Sequence, residues 1–287
     1  MKKIIEVPQQ VQNDEAGLYF LNFLLFEIEE KEYSHFILDF KRTRWFEANL
    51  TSVLGAIIHK SKIHGKSFRI ENINTSILNV FKKNGFLEYY NLGKVEDVYQ
   101  STIKYKVFNV HDTDAFARYV SNEVIPKIRL TLDKPVEKSF ISSLNEIFVN
   151  VGLHAKSNEV FTCGQYYHKH KMVAFTIVDL GNTIPHNIKQ YNGCNYTSDK
   201  ELINWSTQYG NTTREDSSVG GLGLDIINSF LEENKGVFQI VSGKGFWQKN
   251  SGFLSTSDFN YHFPGTIVNI ITKLESTVFN RTEEILF

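Results

Sequence analysis

The sequence has little cysteine, almost no net charge and no long apolar run, and each of these absences excludes a class of protein. Its two cysteines, Cys163 and Cys194, are too few for a disulfide framework and have no metal-ligand spacing. No stretch approaches the roughly 18 apolar residues of a membrane-spanning helix, and the N-terminus lacks the apolar core of a signal peptide. We therefore expect a cytoplasmic protein with no membrane partner.

The charge balance and the composition further limit the kind of protein that this sequence can encode. The formal net charge is -1 and the pI is near 6.8, so there is no basic excess and nucleic acid is not expected as a partner. The chain has 287 residues, of which 41% are hydrophobic and 22% are charged. This composition is typical of a globular protein, and the length is sufficient for two domains.

In the first hundred residues, short apolar runs alternate with amphipathic stretches. Strands are predicted at residues 4–7, 36–40 and 68–70, and helices at 17–30, 50–60 and 76–83. Asn49 and Thr75 stand at the starts of the second and third helices, where they predict N-caps. The alternation indicates an α/β unit with a largely parallel sheet.

This order resembles the STAS domain, the fold of anti-sigma factor antagonists. The resemblance rests on a strand that ends near Asp39, a helix, a turn at Gly65, a strand, and a helix that ends at Gly85. In regulated STAS domains a serine opens the first of these helices and accepts phosphate. Here residues 47–49 hold that place, with Thr51 and Ser52 just beyond, so the resemblance leaves phosphorylation open. Glu47 there indicates either a fixed negative charge or a plain helix start.

Beyond residue 100, a strand is predicted at 104–108, a helix at 115–130, and a further helix capped near Asp133. That second helix contains the stretch 143–155, in which Glu146 and Asn150 lie one helical turn apart and His154 lies a further turn on. A carboxylate and a carboxamide stacked in this way can hold a metal ion and activate a hydroxyl group. The same pattern is also typical of an ordinary amphipathic helix.

Two predicted strands follow, at 159–165 and 172–178. The second ends at Asp179, followed by Gly181 and Thr183. A carboxylate at the mouth of a strand can accept a hydrogen bond from an exocyclic amine such as that of adenine, although the pattern also suits a plain turn.

A long polar loop is expected at 187–219, with one short helix near 199–206. The loop ends in the glycine cluster 220–224, which opens an apolar helix and lets backbone N–H groups approach a phosphate. No Gly-x-x-x-x-Gly-Lys-Ser/Thr motif is present, and the glycines lack the preceding strand of a Rossmann turn. The last predicted strands are 237–242, 245–248 and 266–271.

Together these pieces resemble the GHKL (Bergerat-fold) ATPases, which include gyrase, histidine kinases and anti-sigma kinases, over residues 135–275. Glu146 and Asn150 match the Glu-x-x-x-Asn motif of the family, and Asp179 and Gly181 match its first glycine motif, in which Thr183 replaces the second glycine. Gly221 and Gly223 match its second glycine motif, and Thr266 matches its terminal threonine. The resemblance implies an α/β fold class. In it, a STAS-like domain (1–100) precedes a Bergerat-fold α/β sandwich (101–287) with a mixed sheet packed on helices.

The resemblance also implies roles for these residues, with ATP and Mg²⁺ as cofactors. Glu146 would orient or deprotonate the attacking water or hydroxyl, Asn150 would ligate Mg²⁺, and Asp179 would read the adenine amine. Gly181 would allow close approach to the base, and Thr266 would support the adenine end.

The glycine cluster would complete the nucleotide site. Gly221, Leu222 and Gly223 would hold phosphates through backbone amides, with Leu224 beside them. The roles of His154 and Arg214 stay open.

Three functions remain open at this point: a Ser/Thr kinase of the anti-sigma type, an ATP-driven conformational switch, and a non-catalytic scaffold. The helix predicted at 115–130 contains no histidine, which argues against a sensor-type autokinase. A protein partner of the STAS or sigma-regulatory type is expected, and a homodimer is possible.

Overall fold

The computed structural model describes residues 1–30, 32–128, 134–190, 196–208, 210–211 and 222–274. It is a mixed α/β structure. Three parallel strands in the order β1-β3-β5 form the first sheet: β1 (Lys2–Glu6), β3 (His35–Asp39) and β5 (Ser67–Glu71). The two-residue strands β2 (Gln10–Val11) and β4 (Trp45–Phe46) pair separately. The parallel sheet predicted for this part of the chain is confirmed.

Four helices accompany this sheet. They are α1 (Glu15–Glu29), α2 (Thr51–Ile63) after a 3-10 turn at Ala48–Leu50, α3 (Thr75–Lys83) and α4 (Phe86–Tyr89). The N-cap predicted at Thr75 is wrong by one residue, because the Asn74 side chain accepts from the backbone N–H of Ile77 at 3.0 Å. Asn49 is not a cap either, since its side chain bonds across to the second sheet.

The second sheet has five strands in the order β6-β7-β8-β10-β9. They are β6 (Thr102–Asn109), β7 (Glu159–Tyr167), β8 (Met172–Asp179), β9 (Val237–Asn250) and β10 (Phe253–Lys273). All four of these pairings are antiparallel, so the predicted mixed sheet is wrong. The reason is that β10 inserts between β8 and β9, the two strands that run in the same direction.

Among the described helices of the second half, two continue into a wider π turn. The helices are α5 (Thr113–Tyr119) with a π turn at Val120–Val124, α6 (Ile125–Ile128), α7 (Lys134–Asn150) with a π turn at Val151–Ala155, α8 (Ile184–Gln190), α9 (Asp199–Ser206) and α10 (Leu222–Glu233). The helix predicted at 115–130 is therefore not continuous. Pro126 has no N–H to donate to the preceding turn, which accounts for the interruption.

The five-stranded sheet lies between two helical layers. On one face, α5, α7 and α10 bury Phe140, Leu144 and Phe230 against alternate residues of the sheet. On the other face, α1 and α2 from the first half bury their apolar sides against residues such as Val178 and Ile267. The two halves of the chain therefore share one apolar core. Each side chain buried there contributes about 1.5 to 3 kcal/mol.

A buried polar cluster joins the two halves within this core. The side-chain amide of Asn49 donates to Asn13 at 2.7 Å, to Thr176 at 2.8 Å and to Asn269 at 3.0 Å. Asn269 in turn donates to the Gln239 carboxamide at 2.6 Å. Buried amides are costly to leave unpaired, so this cluster fixes how the first half sits on the sheet.

Among the described residues, no helix combines the length and the apolar character that crossing a bilayer requires.

Candidate nucleotide site

A cavity of about 150 Å³ opens between the end of α7, the end of β8 and the adjoining part of β10 around Thr266, on the sheet face that carries α7 and α10. Five of the predicted site residues line it: Glu146, Asn150, Asp179, Leu224 and Thr266. These residues span 121 positions of sequence, and the fold brings them to one place.

Strand alternation explains why the two strands contribute the residues they do. Side chains two apart on a strand face the same side, so Ile177 and Asp179 of β8 share a face. The register pairs Thr266 with Asp179, and Thr266 and Val268 of β10 therefore line the same cavity. The walls are otherwise largely apolar, as is usual for a pocket that takes a small organic ligand.

Glu146 and Asn150 lie in the last two turns of α7, and Asn150 is its final residue. The chain then widens into the π turn Val151–Ala155 and closes at Lys156, whose φ is +54°. Single π turns inside helices are frequent at functional sites. His154 lies in this turn and lines the cavity, while its backbone carbonyl accepts from the Asn187 side chain at 3.1 Å.

Asp179 is the most deeply buried carboxyl group of the cavity, with 3% of its surface exposed. One carboxyl oxygen accepts from the backbone N–H of Gly181 at 2.9 Å, and the backbone of Thr266 also bonds to the carboxyl group. Burial raises its pKa to about 7, and these backbone bonds only partly oppose that rise. Near neutral pH, the protonated and the ionised forms of the Asp179 carboxyl group are therefore both populated.

The Thr266 hydroxyl is held by Ser242, a residue that the sequence did not single out. The two hydroxyl oxygens are 3.0 Å apart, and the Ser242 hydroxyl also donates to the carbonyl of Gly265 at 2.8 Å. Ser242 further accepts from the backbone N–H of Ile184 at 2.9 Å. This buried serine thus ties together β9, β10 and the start of α8 at the cavity.

Two glycines allow the backbone to close around Asp179. Gly265 has a φ of +109°, and a Cβ there would lie 2.2 Å from the Asp179 carbonyl oxygen. At Gly181 a Cβ would lie 2.1 Å from the carbonyl oxygen of Ala155, at the end of the π turn. Gly181 is thus required by packing against the protein's own backbone, and its approach to a base stays a prediction.

Thr183 stands where the motif that the sequence resembles has its second glycine, and its side chain has a structural role here. Its hydroxyl accepts from the backbone N–H of His186 at 3.1 Å, so it caps α8. Part of the loop expected at 187–219 is therefore helical, because α8 extends to Gln190. The short helix predicted at 199–206 is confirmed as α9, with a capping box formed by Ser198 and Glu201.

The structure describes only part of the glycine cluster 220–224. Gly221 lies outside the described residues, as do Thr212, Thr213 and Arg214 of the predicted lid. Leu222 and Gly223 begin α10, and Leu224 lines the cavity. The predicted phosphate contacts of this cluster stay predictions.

Sequence reasoning missed several polar and aromatic residues that line the cavity: Asn182, Asn187, Trp205, Ser206 and Asn211. Asn182 directly follows the matched Gly181, and Trp205 lies on the predicted short helix, so both were adjacent to signals already recognised. Ser206 ends the same helix, whereas Asn187 and Asn211 lie in stretches where no motif was recognised.

Comparison with protein-family models and with curated protein sequences gave no match. In the described part of the chain, no three His, Cys, Asp or Glu side chains form a cluster suited to a metal ion.

Proposed function

We propose that this protein binds Mg-ATP in the cavity and acts as a regulatory ATPase or protein kinase of the GHKL type. The observation that carries the proposal is the convergence of Glu146, Asn150, Asp179 and Thr266 on one cavity. These are the residues that the motif resemblance assigns to nucleotide binding and catalysis, and their spacing along the chain does not by itself require them to meet. We also propose that the two halves are a STAS-like and a Bergerat-fold domain.

The donor groups match the chemistry of this ligand. The Asp179 carboxylate would accept a hydrogen bond from the exocyclic amine of adenine, and the apolar walls would contact the ring faces. The Asn150 carboxamide oxygen suits Mg²⁺, which prefers oxygen ligands and takes most of them from phosphate and water. When bound, Mg²⁺ would neutralise phosphate charge. Glu146, one turn from Asn150, would orient or deprotonate the attacking oxygen.

If the activity is phosphoryl transfer to protein, the acceptor belongs to another molecule. Thr51 and Ser52, the hydroxyl groups nearest the place that carries phosphate in regulated STAS domains, are both fully buried. They lie on α2, against the face of the sheet opposite the cavity. A separate partner of the STAS or sigma-regulatory type therefore fits better than the protein's own first half.

An ATP-driven switch is the second candidate. The favouring observation is that β8 and β10 carry cavity residues on one face and the buried cluster around Thr176 and Asn269 on the other. Nucleotide bound to these strands would bias how the two halves sit together. A non-catalytic scaffold would need neither the Glu146 carboxyl group nor turnover.

Phosphate release from ATP tests the catalytic part of the proposal. We expect Glu146→Ala to keep ATP binding but to lower turnover by a factor of about 100 or more, as is usual when a general base is removed. Glu137→Ala, in the first turn of the same helix, is the matched control and should retain full turnover. Unchanged phosphate release in Glu146→Ala would remove this residue from catalysis. Transfer of labelled phosphate to a candidate STAS partner separates a kinase from a switch.

A further inference from the structure

A second, larger depression lies at the other end of the β8–β10 ladder, where the two halves of the chain meet. This groove has a volume of about 680 Å³. The first half contributes Arg44, Trp45 and Glu47, and the second half contributes Tyr167, His170 and Lys273. Lys273 pairs with Met172 at one end of the ladder, whereas Thr266 pairs with Asp179 at the other. Seven residues of strand separate them by about 23 Å, so the groove and the cavity are distinct.

The rim of the groove is basic. Arg44, His170 and Lys273 are all exposed, and among the described residues none of the three takes part in an ion pair. Three cationic or protonatable side chains around one depression favour a negatively charged occupant.

The floor of the groove is aromatic and held in place. Trp45 is 44% exposed, and its ring lies 6.5 Å from that of Tyr167, centroid to centroid. The buried Glu47 carboxyl group accepts a hydrogen bond from the Tyr167 hydroxyl. Because Glu47 holds Tyr167 and the Trp45 ring lies beside Tyr167, the exposed Trp45 ring forms a flat contact surface on the groove floor.

We propose that this groove binds a small organic anion that carries a planar ring, such as an aromatic carboxylate. The anionic group would contact Arg44 and Lys273, and the ring would lie against Trp45. Sites of this kind are common at the junction between domains. A ligand there would touch both halves of the chain and stabilise their contact. This inference is independent of nucleotide binding at the cavity.

Nuclear magnetic resonance of the indole N–H groups, without nucleotide and at low ionic strength, tests the proposal. The chain has three tryptophans, and Trp45→Phe assigns the Trp45 signal. Benzoate should shift the Trp45 signal in a saturable way, whereas benzamide, its uncharged analogue, should not. Arg44→Gln and Lys273→Gln should each weaken benzoate binding by about fivefold, the upper range for exposed charge pairs. Arg42→Gln, which removes an exposed arginine paired with Glu6, is the matched control and should leave binding unchanged.

Three results would overturn the proposal. The first is no saturable shift of the Trp45 signal with benzoate. The second is an equal response to benzamide, which would show that charge plays no part. The third is a shift confined to Trp205, because that residue lines the cavity and not the groove. None of these results bears on ATP binding, which is measured separately.

Discussion

At the scale of single residues, Asp179 is the side chain on which the proposed site depends most. It is almost fully buried, its neighbours bond it through backbone groups, and its pKa is about 7 instead of the ordinary 3.8. A buried carboxyl group with a raised pKa destabilises the folded protein at any pH at which the unfolded chain would ionise it. Carboxyl groups with pKa values raised in this way are frequent at functional sites.

The raised pKa of Asp179 predicts how the stability of the nucleotide-free protein depends on pH. Between about pH 4 and pH 7 the folded protein keeps a proton that the unfolded chain releases, so stability falls as pH rises. From about pH 5 to about pH 8, we expect the wild type to lose about 2 to 3 kcal/mol more than Asp179→Asn in urea unfolding. Parallel pH profiles of the two proteins would show that Asp179 is already ionised in the folded state.

Gly265 makes a second prediction at this scale. Both Gly265 and Gly252 have positive φ, +109° and +86°, but only at Gly265 would a Cβ meet other atoms. We expect Gly265→Ala to cost about 3 kcal/mol of unfolding free energy and Gly252→Ala about 1 kcal/mol, because the first adds a backbone collision to the strain. Chemical denaturation measures both, and equal losses would show that close packing against Asp179 is unimportant.

Some residues of the cavity could be predicted from the sequence and others could not. Glu146, Asn150, Asp179 and Thr266 belong to local motifs and could be predicted. Ser242 could not, because its importance arises from contacts with residues 24 and 58 positions away. Such partners can be identified only when the strand register is known.

At the scale of elements, β8 and β10 serve both halves of the molecule. One face of each strand lines the cavity, and the other face meets the first half through Thr176 and Asn269, which bond to Asn49. The position of Asn49 at a helix start predicted only a cap. The sequence around a residue does not show that its side chain will bond to a distant strand instead of capping its own helix.

The buried cluster around Asn49 predicts a large effect of one substitution. Asn49→Ala removes a donor to two buried acceptors, Thr176 and Asn269, and to the half-buried Asn13, and we expect a loss of about 2 to 4 kcal/mol. Asn260→Ala, on the exposed side of β10, should change stability by no more than about 0.5 kcal/mol. Urea unfolding compares the two, and a similar small loss in both would contradict the role of the cluster.

The element boundaries show where sequence patterns are insufficient. The start of β10, residues 253–265, was not predicted, because Pro264 and Gly265 are typical of a break and the residues before Phe259 are mostly polar. Pairing is irregular there. That arm pairs with β9 across the two-residue turn Ser251–Gly252, where both residues have positive φ. It is also held from outside the hairpin, because Tyr261 packs its ring against Phe23 and Tyr19 of α1 at centroid distances of 5.3 and 5.5 Å.

At the scale of the whole molecule, the two halves share a core instead of meeting at a small polar interface. Apolar residues of α1 and α2 pack against the sheet formed by residues beyond 101. We therefore expect one cooperative thermal transition for the full chain, because neither half can unfold without exposing the core of the other. Scanning calorimetry tests this expectation, and two separate transitions would show that the halves are energetically independent.

Calorimetric titration with Mg-ATP measures nucleotide binding at the cavity. We expect saturable binding by the wild type and by the control Asp258→Asn, whose carboxyl group is exposed on β10 and lies outside the cavity. In Asp179→Asn, affinity should fall by about tenfold or more, because a neutral carboxamide oxygen replaces the charged acceptor for the adenine amine. Equal affinity of Asp179→Asn and the wild type would remove Asp179 from adenine recognition, and no binding by the wild type would rule out a nucleotide site.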